Sequence, residues 1–207
     1  MDAEKSYWSK IKARSEAKEQ ILEAASDLIR EGGSYYVTLD QIADRLHISK
    51  VSIYHHWTSK QGILFDLLSI GYKAFVENLT KIARSNDPPD VKLRKAIENH
   101  VEQAVNSPIN PMLKDKEWRL VNKYRKEIIE LRDAYSQMFY EIIEDGIKEG
   151  IFRKVDPRLV HFTIMGATNY TWLWYSRKGR LPYKQIAANI TDYLLNGILA
   201  GSPGKRK

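Results

Sequence analysis

Two helix-start signals stand eleven residues apart in this chain, and together they confine what residues 38 to 60 can become. Thr38-Leu-Asp-Gln41 is a capping box, in which the threonine hydroxyl and the glutamine side chain satisfy amides that a helix's first turn leaves unpaired. Ser49 offers a second cap. A helix begun at Thr38 therefore ends near Leu46, a three-residue turn (47 to 49) follows, and a second short helix covers 50 to 56. Ala43 falls where the two must touch. Ile42, Leu46, Ile48 and Ile53 face inward, and Lys50, Ser52, Tyr54, His55 and His56 face out.

Helical period runs through almost all of the rest. Ile21, Leu22, Ala25, Leu28 and Ile29 form one apolar face over residues 15 to 31, and Gly32-Gly33 supply a stop. Thr58 or Ser59 caps a long helix over 60 to 84, with Leu64, Leu67, Leu68, Gly71, Phe75, Leu79 and Ile82 along one stripe. After the break "SNDPPD" at 85 to 90, helices are expected over 91 to 106, 114 to 121 and 124 to 149. Asp156-Pro157 opens a helix that Gly179 closes, because proline suits the first helical position, and a last helix covers about 182 to 199. No strand pattern appears. The chain is expected to be all-α with about nine helices: a three-helix module over 1 to 60, and a second helical domain over 61 to 207 entered through the helix at 60 to 84.

Residues 159 to 176 carry no formal charge over eighteen positions, near the ~20 apolar residues of a membrane span. His161, Thr163, Thr168, Asn169, Thr171 and Ser176 interrupt them. Each is costly in hydrocarbon, so the segment reads as a helix buried in protein, with Gly166 and Ala167 marking close approach of another helix. The chain has no cysteine, which excludes disulfides, thiolate metal sites and a cysteine nucleophile. With no apolar core in its first twenty residues either, a cytoplasmic location is expected and no membrane. The net charge of +7 favours an anionic partner. Residues 1 to 60, however, hold nine Lys/Arg and nine Asp/Glu, so a nucleic-acid reading must rest on where charges stand.

The stretch "HISKVSIYHHW" at 47 to 57 raises the question of chemistry. Adjacent residues on a helix point about 100° apart, so His55 and His56 cannot chelate one ion as an i, i+4 pair does, and no carboxylate stands at ligand spacing. No nucleophile elbow, zinc-protease motif or phosphate-cradling glycine loop occurs, so no catalytic residue, metal or cofactor is expected. Two short helices joined by a tight turn are instead the layout of a helix-turn-helix, whose second helix lies in the DNA major groove. Lys50, Ser52, Tyr54, His55 and His56 then have phosphates and base edges to meet.

Residues 38 to 68, "TLDQIADRLHISKVSIYHHWTSKQGILFDLL", following "ILEAASDLIREGG", resemble the N-terminal domain of the TetR family of one-component transcriptional regulators. The pattern is met at Ile42-Ala43, Ile48-Ser49-Lys50, Ile53-Tyr54, Trp57 and Lys60, over residues 15 to 68. The resemblance implies DNA contacts, mostly to phosphate, from Thr38, Ser49, Lys50, Val51, Ser52, Tyr54, His55, His56 and Lys60. Lys10, Lys12 and Arg14 are then placed to reach backbone or minor groove, and the acids of helix 1 (Glu16, Glu19, Glu23, Asp27, Glu31) face solvent, leaving the groove side basic. Two positions depart from the pattern. His47 stands where glycine is usual, in a turn that often needs positive φ. Val51 replaces another frequent glycine at the groove.

The second domain is dense in aromatics, as apolar pockets are. Its candidate ligand-binding residues are Tyr72, Phe75, Trp118, Arg119, Lys123, Tyr124, Tyr135, Phe139, Asn169 and Trp172. Seven Lys/Arg between 114 and 132 suit a long molecule with an apolar tail and an anionic head. "Y-R-x-x-I-x-x-x-R-x-x-Y-x-x-x-F", followed by "G-I-x-x-G-I-F-R" at 146 to 153, is similar to C-terminal domains of the acyl-CoA-responsive branch of that family. The resemblance implies a repressor released from a palindromic operator by a fatty acyl-CoA. The apolar faces of the helices at about 157–178 and 182–199 imply a homodimer. Alternatives are a regulator answering drugs or other hydrophobic ligands, and an acyl-chain carrier or enzyme that binds no DNA.

Overall fold

The computed structural model describes residues 16–33, 37–107 and 125–200 of the chain. Nine helical segments occur among them: α1 (Glu16–Gly32), α2 (Leu39–Leu46), α3 (Lys50–Tyr54), α4 (Lys60–Ala83), α5 (Pro89–Asn106), α6 (Arg125–Lys148), α7 (Pro157–Thr168), α8 (Thr171–Trp174) and α9 (Tyr183–Asn196). The expected helix at 114 to 121 lies outside the described residues. No strand occurs among the described residues, only an isolated antiparallel bridge between Phe152 and Leu199. The chain forms two compact units, with boundaries at Ala74/Phe75 within α4, at Val105/Asn106, and at Arg132/Asp133 within α6.

In the first unit both start signals form. Thr38 is extended (φ −122°, ψ 159°), its hydroxyl accepts from the Gln41 amide at 3.2 Å, and Gln41 Oε1 accepts from the Thr38 amide at 2.9 Å. Ser49 Oγ accepts from the Ser52 amide at 3.2 Å. Between them His47 adopts φ 54° and ψ 39°, the left-handed cap that the departure from glycine foreshadows. The His47 and Ile48 amides donate back to Asp44 and Ala43 carbonyls at 3.2 and 3.0 Å, so the end of α2 is satisfied. α3 is shorter than the expected 50 to 56, because His56 and Trp57 both turn their amides onto the Ile53 carbonyl.

Ile21, Leu22, Ile29, Ile42, Ile53, Ile63 and Leu67 form the fully buried centre of this unit. Each such side chain contributes about 1.5–3 kcal/mol of transfer free energy. Trp57 is buried beside them and its indole donates to Asp66 Oδ2 at 3.0 Å, which locks the end of the α3 turn to α4. The first residues of α6 join the same unit: Ile128 enters the core, and Glu127 accepts from Ser69 Oγ and pairs with Lys73, both at 2.9 Å.

The second unit is built on Leu79, Leu93, Ile97, Phe139, Ile142, Ile143, Ile164 and Leu195. Its end is closed by the glycine motif at 146 to 153. A Cβ on Gly146 would lie 2.2 Å from the Phe152 ring, so the phenyl seats directly on the helix backbone. Gly150 takes φ +73° and lets the chain reverse. Arg153 then donates to the Ile198 carbonyl and Ala200 to the Ile151 carbonyl, pinning the end of α9. This motif therefore has a packing role here.

Three expectations are corrected. The helix opened by Asp156-Pro157 does not run to Gly179. It stops at Thr168, resumes for one turn as α8, and is extended by Tyr175 (ψ 135°). Asn169 and Tyr170 break it, with the Thr171 hydroxyl donating to the Thr168 carbonyl at 2.8 Å. α9 ends at Asn196 rather than 199, because Leu199 is drawn into the bridge to Phe152. Among the described residues, no atom beyond its chain neighbours and its own helix backbone lies within 4 Å of a Cβ built on Gly166, so no described helix approaches there.

A left-handed imidazole residue is costlier than a glycine at the same angles. His47→Gly is expected to raise stability by about 0.5–1 kcal/mol in urea unfolding, after the larger backbone entropy of glycine is subtracted. Unchanged or lowered stability would contradict the strain assigned to this turn.

Candidate functional sites

The outward face of α3 and its turn gathers most of the sequence-derived reading residues. Val51 is 62% exposed and Tyr54 50%, unusual for an apolar and an aromatic side chain with a core at hand. Lys50 and His55 are exposed, and Ser52 is half-buried. His56 is half-buried, edge-on to Trp57 with centroids 5.8 Å apart, so of the pair only His55 is exposed. The Thr38 and Ser49 hydroxyls are used as caps at the ends of α2 and α3. Lys60 is the first residue of α4. Lys10, Lys12 and Arg14 lie outside the described residues.

Charge on this face differs from the expectation of a basic surface left by acids on α1. Glu16, Glu23 and Glu31 are exposed as expected, whereas Glu19 and Asp27 are half-buried, and Glu31 also makes a two-pronged pair with Arg45, at 2.9 and 2.8 Å. Lys50 Nζ lies 2.7 Å from Asp40 Oδ1, and that carboxylate raises the lysine's pKa.

In the second unit Phe75, Tyr135 and Phe139 come together, with ring centroids 6.0 Å apart from Phe75 to Tyr135 and 5.4 Å from Tyr135 to Phe139. At their centre stands a residue that sequence reasoning missed, His100, fully enclosed on α5. Its Nε2 lies 2.9 Å from Asn169 Oδ1 and its Nδ1 2.8 Å from the Tyr135 hydroxyl. An amide oxygen only accepts, so Nε2 carries the proton, Nδ1 is the acceptor, and Tyr135 donates to it. Burial drives the His100 pKa down to about 4 and raises that of Tyr135, so both are neutral near pH 7. The signal for His100 was its spacing: with Leu93, Ala96, Ile97 and Ala104 it completes the buried stripe of α5.

His161 is a second buried imidazole, among Phe139, Tyr140 and Phe162, and neither ring nitrogen has a hydrogen-bond partner among the described residues. Burial lowers its pKa to about 4 as well. Tyr72 belongs to the first unit and packs on that core, and Trp172 is half-buried on α8 outside these ring contacts. Trp118, Arg119, Lys123 and Tyr124 lie outside the described residues. A separate apolar groove of about 410 Å³ runs between Leu93 and Ile97 of α5, Val160 and Ile164 of α7, and Leu194 and Ile198. Among the described residues no cluster of His, Asp or Glu is placed to hold a metal, and no helix is long and apolar enough to cross a membrane.

Residues 21–67 match the family model described as bacterial regulatory proteins, tetR family, and residues 86–198 match the tetracyclin repressor-like C-terminal domain. The chain belongs to the TetR family. It is a transcriptional regulator, not an enzyme. It is 29% identical over 188 residues to the transcriptional repressor KstR2 of Mycobacterium tuberculosis, covering 86% of this chain and 91% of that one. The solved structure of that ketosteroid regulator matches with a TM-score of 0.80 and 25% identity, over 90% and 96% of the two chains. The fatty acid metabolism regulator protein of Bacillus subtilis is 23% identical over 182 residues, 86% of this chain and 94% of its own. AibR, solved with isovaleryl coenzyme A and operator DNA, shares the fold at a TM-score of 0.79 and 24% identity, over 87% and 98% of the chains.

Because the folded chain holds His100 and His161 neutral while the unfolded chain protonates them near pH 6.5, stability is complete above about pH 6.5 and is lost as pH falls toward 4. Each buried histidine is expected to remove about 2 kcal/mol between pH 7 and pH 5. Urea unfolding of this TetR-family protein across that range, beside His100→Gln, checks it: the variant's profile should be flatter, and equal slopes would contradict the assignment.

Proposed function

We propose that this protein is a repressor that binds a palindromic operator as a homodimer in the cytoplasm and leaves it on binding a fatty acyl-CoA. The exposed face of α3 carries the DNA half of the reading. A five-residue helix started by the Ser49 cap, with Val51, Tyr54 and His55 standing in solvent, has the size and chemistry of an element that enters a major groove. Lys50, Ser52, Tyr54 and His55 then meet phosphates and base edges, Val51 abuts the groove wall, and Thr38, Ser49, His56 and Lys60 flank them. The hydroxyls of Thr38 and Ser49 act there chiefly by holding the helix starts.

The dimer reading is supported by apolar side chains that the chain leaves uncovered: Leu159 and Phe162 on α7, Tyr170, Leu173 and Trp174 at α8, and Tyr193 on α9, each more than half exposed. Such a patch on a regulator suits a second copy, and open Gly166 permits close helix approach. This revises the interface to α7, α8 and α9 rather than two unbroken helices at 157–178 and 182–199.

For the ligand, the supporting facts are the kinship with KstR2, the Bacillus fatty acid regulator and AibR, and the aromatic cluster of Phe75, Tyr135 and Phe139 around neutral His100. Neutral polar groups in an apolar setting suit a thioester or acyl chain better than a cation. Ligand releases DNA only if it binds the DNA-incompetent state more tightly, and α4, shared by both units, is the element through which the two states differ. Calorimetric titration with CoA thioesters of increasing chain length, beside free fatty acids and cationic drugs, tests this. Saturable heat with the thioesters is expected. Heat with drugs and none with any thioester would replace this reading with that of a drug-responsive regulator.

A further inference from the structure

Between residues 16 and 60 the head is short of positive charge for a DNA-binding module. Residues 16 to 60 hold five Lys/Arg against seven Asp/Glu. The cations there are engaged within the protein: Arg45 by Glu31, Arg30 by Asp27 at 3.6 Å, and Lys18 over the Trp57 ring at 5.5 Å from its centroid. One of these arrangements stands on the reading surface itself. Asp40, in the first turn of α2, reaches across the turn to Lys50, the first residue of α3, at 2.7 Å. The carboxylate is 66% exposed and the lysine 44%, so both are in reach of a docking duplex.

Sequence-independent DNA binding consists almost entirely of lysine and arginine contacts to phosphate. When Lys50 leaves Asp40 for a phosphate, it exchanges one anion for another, and Asp40 is left unpaired facing a polyanion. A complex in which α3 enters the groove has other contacts to draw on, and there a carboxylate is itself an acceptor for the cytosine amino group. The penalty therefore falls hardest on DNA held by its backbone alone. We propose that Asp40 is a specificity-determining residue, which holds Lys50 in an ion pair and so suppresses phosphate-only binding. This rests on the DNA-reading role proposed above for α3.

The test compares wild type, Asp40→Asn, Lys50→Met and the double variant by fluorescence anisotropy on two probes. One is a random-sequence 30-base-pair duplex, the other the duplex that the wild-type protein enriches from a randomised pool. Asp40→Asn is expected to bind the random duplex roughly five- to tenfold tighter, with a plot of log K against log salt steeper by about 0.9 for the one phosphate contact released. The gain on the enriched duplex should be smaller, and both gains should vanish in the Lys50→Met background. Equal gains on the two probes, no gain, or a gain that survives Lys50→Met would each overturn the proposal. Asp40→Ser, which keeps a good residue for a helix's first turn, stands in if the asparagine variant does not fold. Failure of the wild-type protein to enrich any duplex would count against the DNA-reading role itself, a separate outcome from a failure of Asp40 to discriminate.

Discussion

The bond pair that closes on itself between Thr38 and Gln41, and the left-handed residue at His47, hold α2 at its two ends. A helix of eight residues is far too short to be stable alone, so its ends must be fixed by caps and its inner face by the core. Once both are fixed, the direction of the chain leaving Ile48 is fixed too, and the Ser49 cap starts α3 from there. Ile53 and Trp57 then anchor α3 from below, which leaves Val51, Tyr54 and His55 exposed and Lys50 paired with Asp40. The reading surface is thus a by-product of satisfied amides and a buried isoleucine.

The second unit is organised by a different constraint, the burial of polar groups. His100 is enclosed, and its enclosure is tolerable because one nitrogen donates to Asn169 and the other accepts from Tyr135. That network sits where α7 breaks, so Asn169 ends a helix and completes a core in one residue. His161, eight residues before it, has no hydrogen-bond partner among the described residues. Residues past the break, Tyr170, Leu173 and Trp174, stand in solvent. A buried hydrogen bond and exposed apolar side chains are therefore neighbours within the six residues from Asn169 to Trp174.

Much of the head was legible in the sequence because its signals are local. The capping box, the serine cap and the inward isoleucines each concern residues within one or two turns, and even the positive φ of His47 followed from the turn it occupies. The second unit was legible only in outline. Continuity from Asp156 to Gly179 is expected from the Asp156-Pro157 start and the glycine stop, yet the break falls at Asn169, where a tertiary bond to α5 competes with helix continuation. The charge balance of the head was read as a segregation of acids to α1, whereas the decisive acid, Asp40, is paired across the turn. Which aromatics converge also depends on contacts between helices far apart in sequence: Phe75, Tyr135 and Phe139 meet, while Tyr72, three residues from Phe75, belongs to the other core.

As proposed above, two copies of this TetR-family chain present α3 to successive major grooves. Sequencing the duplexes that the wild-type protein retains from a randomised pool addresses it directly. The account predicts a two-fold symmetric sequence whose half-site centres are separated by about one helical turn, 10–10.5 base pairs, or a multiple of it. A single asymmetric element, or retention without sequence preference, would contradict it.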